Sequence, residues 1–210
     1  MVFANLDFEE RLWQQGFKAI CGVDEVGRGC FAGPVVAGAV VFSKNCKIPE
    51  GIADSKLLTP RQRKKLAEEV KGSALSWAVG EVSVRDINKY GIGKATQMAF
   101  RKAIQGLSMR PDFVLVDAFY IKRLKGLRKA RQEAIKKGDQ ISVSIAAASI
   151  IAKVHRDGLM RKLARKYPQY HFSRHKGYGT KLHQEAIRRY GLSKVHRKSF
   201  NLGKFILPGT

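Results

Sequence analysis

Acids are scarce in this chain, and four of them stand where chemistry is usually done. Against 40 Lys and Arg there are only 17 Asp and Glu. Asp24 and Glu25 close an apolar stretch over 18–23, Asp117 closes another over 112–116, and Asp139 comes just ahead of the strongest helical pattern. Catalytic groups tend to sit on loops and strand ends held by a rigid sheet. Carboxylates that converge on one point repel one another and raise one another's pKa. Divalent cations relieve that conflict, and Mg²⁺ favours a few carboxylates with water and phosphate oxygens. Two such ions roughly 4 Å apart activate a water and stabilise the leaving oxygen of a phosphodiester. Neighbouring residues of a regular strand face opposite sides, so Asp24 and Glu25 share one site only if the strand ends there, as Gly27 and Gly29 favour. Each acid read alone is also a solvated loop-edge group or an ion-pair partner for the many Lys and Arg. Spacing by itself does not bring the four together.

The charge balance narrows the partners. A net +23 on 210 residues concentrates polyanions, with nucleic acid or an anionic membrane as the usual ones. A membrane fits poorly, because the longest nearly apolar run, 31–42, is too short to span a bilayer and contains Gly and Pro. The first 15 residues carry Asp7, Glu9 and Glu10 and lack the order of a signal peptide. Cys21, Cys30 and Cys46 are odd in number without CxxC spacing, so they read as reduced thiols of a cytoplasmic protein. His171, His175 and His183 have no cysteine nearby and a poor helix register, which argues against zinc.

At this length the chain can build one sizeable core. The hydrophobic share of 44% and charged share of 27% are those of a globular protein. Short apolar runs predict strands over 18–23, 34–42, 74–84 and 112–116. Helices are expected over 60–71, where Thr59-Pro60 supplies an N-cap and a first-turn proline, and over 94–106, 144–166 and 180–190. The stretch 122–137, with eight Lys or Arg and one Glu, reads as a basic helix or loop. This order predicts an α/β fold, a sheet flanked by helices.

Several motifs then fall into a familiar order. Gly22-Val23-Asp24-Glu25-Val26-Gly27-Arg28-Gly29 with Ala32-Gly33-Pro34-Val35-Val36 resembles the N-terminal signature of ribonuclease HII. Asp54-Ser55-Lys56, Val116-Asp117, Lys137-Gly138-Asp139 and the run from Ser144 to Val154 resemble that family's next motifs. His175-Lys176-Gly177-Tyr178-Gly179-Thr180 and His196-Arg197-Lys198-Ser199-Phe200 complete the series, so the likeness spans about 20–200.

The resemblance implies a ribonuclease H-like fold, a mixed β-sheet flanked by helices, with a catalytic core over 1–160 and a helical C-terminal portion over 161–210 packed as part of the same domain. It implies that Asp24, Glu25, Asp117 and Asp139 bind two divalent cations, Mg²⁺ or Mn²⁺, for in-line attack by an activated water. Gly27, Arg28 and Gly29 would read the ribose 2′-hydroxyl, and Tyr178 would stack on the following deoxyribose. Lys56, Lys153, His175, Lys176 and Arg197 are candidate phosphate contacts. Ser149 counts among the substrate-side residues, although close helix packing is its simpler role. Partners would be RNA/DNA hybrid and ribonucleotide-containing duplex DNA, cut on the 5′ side of the ribonucleotide to leave 5′-phosphate and 3′-hydroxyl ends. Nothing in the sequence suggests an obligate dimer, so a monomer is expected.

The chemistry of the residues agrees. Glycines let a backbone approach a sugar closely, the 2′-hydroxyl is what separates RNA from DNA, and Arg28 offers a fork of donors to a phosphate. Read alone, the GRG stretch is simply a tight turn, and a tyrosine is more often buried than stacked on a ligand. Four details depart from the family's usual pattern: Cys30-Phe31 where Pro-Leu is commonest, Leu57 where a second Lys is typical, Ala118 where Gly is frequent, and Tyr90-Gly91-Ile92-Gly93. Two further readings stay open, a basic nucleic-acid-binding module without catalysis and a DNA-cutting ribonuclease H-like enzyme.

Overall fold

Val-rich runs without polar interruption belong at the centre of a sheet covered on both faces, and here they form it. The computed structural model describes residues 3–53, 55–124 and 126–205, so Asp54, Lys125 and the end of the tail lie outside the described residues. In chain order the elements are α1 (Asp7–Gln14), β1 (Ile20–Val26), β2 (Val35–Phe42), α2 (Pro60–Ser73), β3 (Ser76–Val82), α3 (Val84–Tyr90) and α4 (Ile92–Gln105). There follow β4 (Phe113–Asp117), β5 (Gln132–Ile135), α5 (Gly138–Ile141), α6 (Val143–Lys166), α7 (Phe172–His175) and α8 (Lys181–Tyr190). The strands lie in the order β3-β2-β1-β4-β5. β1, β2 and β3 pair antiparallel, and β1, β4 and β5 pair parallel.

Alternation along the strands decides which helix each residue meets. Cys21 and Val23 of β1 pack with Ala37 and Ala39 of β2 and with Ala95, Ala99 and Phe100 of α4. The opposite face takes the small-residue half of α6. Val40 and Phe42 pack there with Ala147, Ile150 and Ile151, and α2 covers them with Leu66 and Val70. Two strand glycines allow that helix to lie close. A Cβ at Gly22 would overlap the main chain at Ser144, and one at Gly38 would overlap the Ala148 carbonyl. The small residues of α6 are therefore a packing face, as read for the run around Ser149.

Three expectations need revision. β1 does not stop at Val23 but continues to Val26, paired with β2 as far as Val26↔Val36. Its parallel pairing with β4 does end early, at Val23↔Val116. Residues 83–84 are not strand, because Ser83 caps α3 by accepting from the Asp86 N–H at 3.1 Å. The basic segment is neither an α-helix nor wholly a loop: after a 3-10 turn over Lys129–Arg131 it enters the sheet as the edge strand β5. Helix α2 begins as predicted, with Thr59 and Gln62 forming a reciprocal capping box.

Because Gly22 abuts helix backbone rather than a movable side chain, Gly22→Ala is expected to cost about 1–3 kcal/mol of stability, at the upper end of that range. Urea unfolding of the variant checks this, and an unchanged midpoint would mean α6 shifts freely.

Candidate active site

The early end of the β1–β4 pairing creates the site. Asp24 and Asp117 are the next residues on these adjacent parallel strands, beyond Val23↔Val116. Asp24 follows Ile20 and Gly22 by alternation and faces α6, where it is buried and hydrogen-bonded by Ser149. Ser149 Oγ is in turn 2.9 Å from Ser55 Oγ. Glu25 belongs to the other face, but with no strand beside it on the β4 side it remains within the field of Asp117. Asp139, buried in the first turn of α5, receives Lys56 Nζ at 2.7 Å. Asp117 Oδ1 accepts from the Gly138 N–H at 2.8 Å, which ties β4 to that turn.

These acids are held against their own electrostatics. Burial, with Glu25 and Asp117 adding repulsion, raises Asp24 well above the usual carboxylate range, against the pull of the Ser149 hydrogen bond. Burial lifts Glu25 to about 7, opposed by Arg28 and aided by Asp117. Burial and then Asp139 raise Asp117, while the Gly138 N–H opposes them. Glu25 Oε2 is buried without a hydrogen-bond partner. An all-oxygen donor set of this kind, including a buried oxygen in want of a cation or donor, fits hard divalent ions. Among the described residues no three His, Cys, Asp or Glu side chains already form a ready-made metal-binding group. Mutual repulsion works against such closure without a cation between the charges.

The turn after β1 is built from beneath. Gly27 has φ 89°, and a Cβ there would overlap the Arg156 guanidinium. Arg156 is fully buried and donates to the carbonyls of Pro34 (2.9 Å), Lys176 (2.9 Å) and Ala32 (3.1 Å). Arg197 is equally buried and donates to Gly33 (2.9 Å), Arg28 (2.8 Å) and Pro34 (3.1 Å). Arg197 was expected at a phosphate, but all three guanidinium nitrogens are on main-chain carbonyls. Arg28 is exposed, with its guanidinium 4.7 Å over the Phe119 ring, and Gly29 has open space beside it.

Cys30 and Phe31 continue this support. Cys30 Sγ reaches the Lys176 carbonyl at 3.7 Å, and burial pushes its thiol up despite Arg156 and Arg197 nearby. The Phe31 ring fills the space that a side chain at Gly179 would need. Tyr178, between those two contacts, is 42% exposed.

The other expected contacts divide. Lys56 is exposed beside Asp139, within the acid group. Ser149 is a buried partner of Asp24 rather than a surface group. Lys153 is turned along α6 to Asp157 at 2.8 Å, largely covered, and Lys176 Nζ folds back on the Ser173 carbonyl. His175 is buried, accepting at Nδ1 from the Gly177 N–H and donating from Nε2 to the Tyr170 carbonyl at 2.8 Å. It is a main-chain fastener here, not a phosphate contact. The reason is common to His175 and Arg197: both donate to main-chain carbonyls outside the sheet that need buried donors.

Sequence reasoning missed Arg156 and the histidine chain. Arg156 lies two helical turns after Ser149, on the same face of α6, and that spacing was the available signal. His196 accepts at Nδ1 from the Ser193 N–H (2.9 Å), its Nε2 meets His183 Nε2 (3.1 Å), and His183 Nδ1 donates to the Tyr178 carbonyl (2.9 Å). His175 stacks on His183 with ring centroids 4.4 Å apart.

This mixed sheet with its helices is the fold of the ribonuclease H-like nucleases. The ribonuclease H2 of Pyrococcus horikoshii OT3 superimposes with a TM-score of 0.73 at 29% identity, over 89% of this chain and 95% of that one. The ribonuclease HII solved in complex with PCNA from Archaeoglobus fulgidus gives 0.71 at 25%, over 87% and 93%. The sequence narrows the class further. The Ribonuclease HII family model matches residues 21–202. Ribonuclease HII of Clostridioides difficile strain 630 is 49% identical over 193 residues, 92% of this chain and 74% of the relative. That of Chloroherpeton thalassium is 50% identical over 201 residues, 94% and 97%. The chain belongs to the ribonuclease HII family. It is a metal-dependent endoribonuclease with ribonuclease H activity on RNA/DNA hybrids.

Burial and neighbouring imidazoles hold His183 and His196 down to about 4, below the ordinary 6.5. The folded state therefore binds fewer protons than the unfolded state over this interval, so the stabilisation is complete above pH 6.5 and lost as pH falls towards 4. Thermal unfolding across that window should show a falling midpoint that flattens in His196→Asn. An identical slope in the variant would remove the histidine chain as the cause.

Proposed function

We propose that the chain hydrolyses the RNA strand of RNA/DNA hybrids, and duplex DNA on the 5′ side of an embedded ribonucleotide, by a two-metal-ion mechanism leaving 5′-phosphate and 3′-hydroxyl ends. The observation that carries this reading is the convergence of Asp24, Glu25 and Asp117 in one field, all with raised pKa values, around the unpartnered Glu25 Oε2. Asp24, Glu25, Asp117 and Asp139 would hold two Mg²⁺ or Mn²⁺ ions. When bound, such ions supply an activated water and stabilisation of the leaving oxygen.

The chain's own residues do the rest. Ser149 and Gly138 orient Asp24 and Asp117 through hydrogen bonds. Lys56, paired with Asp139 at 2.7 Å, keeps a positive charge at the acid group. The Gly27-Arg28-Gly29 turn presents main chain to the ribose, with open space at Gly29 and the Arg28 carbonyl clamped by Arg197. Tyr178 offers a ring face to the next sugar, and its loop is fixed by Arg156 and His183.

Action as a monomer is part of the same proposal. The portion over 161–210 would serve the core over 1–160 by supplying Tyr178, and α6 (Val143–Lys166) runs across that boundary unbroken. No helix among the described residues is long and apolar enough to cross a membrane, in keeping with the cytoplasmic nucleic-acid enzyme proposed here.

Two assays decide the reading. A duplex with a single ribonucleotide should be cut only with Mg²⁺ or Mn²⁺, and the all-DNA duplex should stay intact. Cutting of both would favour a DNA nuclease, and cutting of neither a binding module. Asp24→Asn should lower kcat by roughly a thousandfold or more while hybrid binding persists, because removing one charge relieves a repelling cluster. Near-normal turnover would sink the four-carboxylate assignment.

A further inference from the structure

The first half of the basic segment opens onto the end of the sheet that carries the acids. A groove of about 780 Å³ runs between α4 and the residues following β4, and Arg28 stands in its wall. Five cations line it (Arg28, Lys94, Arg101, Lys122 and Arg123), and no carboxylate is among its lining residues. Three half-exposed aromatic residues also line it, each with a cation over one ring face: Tyr90 (41% exposed, Lys89 at 5.1 Å), Phe119 (44%, Arg28 at 4.7 Å) and Tyr120 (43%, Lys129 at 5.0 Å).

The groove is built, not a gap under a loose loop. The Gln97 amide donates to the Tyr120 carbonyl (3.0 Å) and accepts from the Lys122 N–H (2.7 Å). Arg101 donates to the Lys122 carbonyl at 3.0 Å. These three bonds pin the outer wall to α4. The groove also adjoins the acids directly. Phe119 is the second residue after Asp117, turned outward by Ala118 at φ 60°, with its N–H back on the Asp117 carbonyl at 2.7 Å.

We propose that this groove holds an unpaired nucleic-acid strand where it leaves the duplex beside the cut site, phosphates on the cations and bases on the rings. The proposal rests on the acid cluster being the cutting site. Five cations without acids attract a polyanion of any form. The rings choose among forms. Bases of a duplex stack on one another and show only their edges, so exposed ring faces gain nothing from them, whereas unpaired bases stack readily on aromatic side chains. A track for duplex backbone alone would need the cations and not the rings.

The test compares two duplexes, each with one ribonucleotide, one blunt and one with an unpaired tail placed beside the ribonucleotide. Wild-type protein should bind the tailed duplex more tightly. Tyr90→Leu/Tyr120→Leu, which keeps apolar bulk but removes two rings, should weaken binding of the tailed duplex about tenfold or more, with kcat and KM on the blunt duplex unchanged. Equal weakening on both duplexes, or none on the tailed one, would overturn the proposal. Lys122→Ser/Arg123→Ser gives an independent reading. Its salt dependence should become shallower by about one or two phosphate contacts on the tailed duplex alone, and an unchanged slope counts against the groove. Should wild-type protein cut neither duplex, the cutting reading fails, while the binding comparison still judges the groove.

Discussion

A parallel strand pair that ends one residue short of two carboxylates is the constraint on which the surrounding structure depends. Asp24 and Asp117 are brought side by side by backbone pairing that neither acid favours. Sheet hydrogen bonds and the packing of α6 hold them there. The neighbours then soften the conflict without abolishing it: Ser149 on Asp24, the Gly138 N–H on Asp117, Lys56 on Asp139 and Arg28 near Glu25. The buried, unpartnered Glu25 oxygen is what those neighbours leave unsatisfied. Gly22 belongs to the same device, since a side chain there would push α6, and with it Ser149, away from Asp24.

Arg156 of α6 and Arg197 of the C-terminal portion solve a different problem, the satisfaction of loop carbonyls away from any strand. Arg156 and Arg197 together reach the carbonyls of Arg28, Ala32, Gly33, Pro34 and Lys176. Burying a guanidinium is costly unless every donor is matched, and here the match is made to main chain. As a result the turn beside the acids and the loop before Tyr178 share one clamp. The histidine chain fixes the other side of that loop with neutral rings of assigned tautomer.

Much of this was legible in the residues. Uninterrupted Val and Ala marked the central strand, Thr59-Pro60 marked the start of α2, and acids at strand ends marked the candidate site. Other features were hidden because they depend on tertiary partners. Arg197 looks like any surface cation until the carbonyls around it are known, and His175 likewise. The continuation of β1 past Val23 could not be read from Gly27 and Gly29, because β2 carries the strand on while β4 lets it go. The segment 122–137 was misleading for its charge. Gln132–Ile135 is too short and too closely flanked by Lys and Arg to look like a strand, yet β4 supplies its ladder.

That edge strand has a consequence for how the protein behaves in a crowd. β5 ends the sheet, and a sheet edge offers unpaired main-chain groups to any other exposed strand. Arg128, Lys129 and Arg131 precede it, and Lys136 and Lys137 follow. Two copies meeting edge to edge would bring these charges together at short range, where repulsion is strongest. Lysines and arginines placed in this way act as gatekeepers against aggregation. Charge-neutral replacements in this stretch would remove that protection.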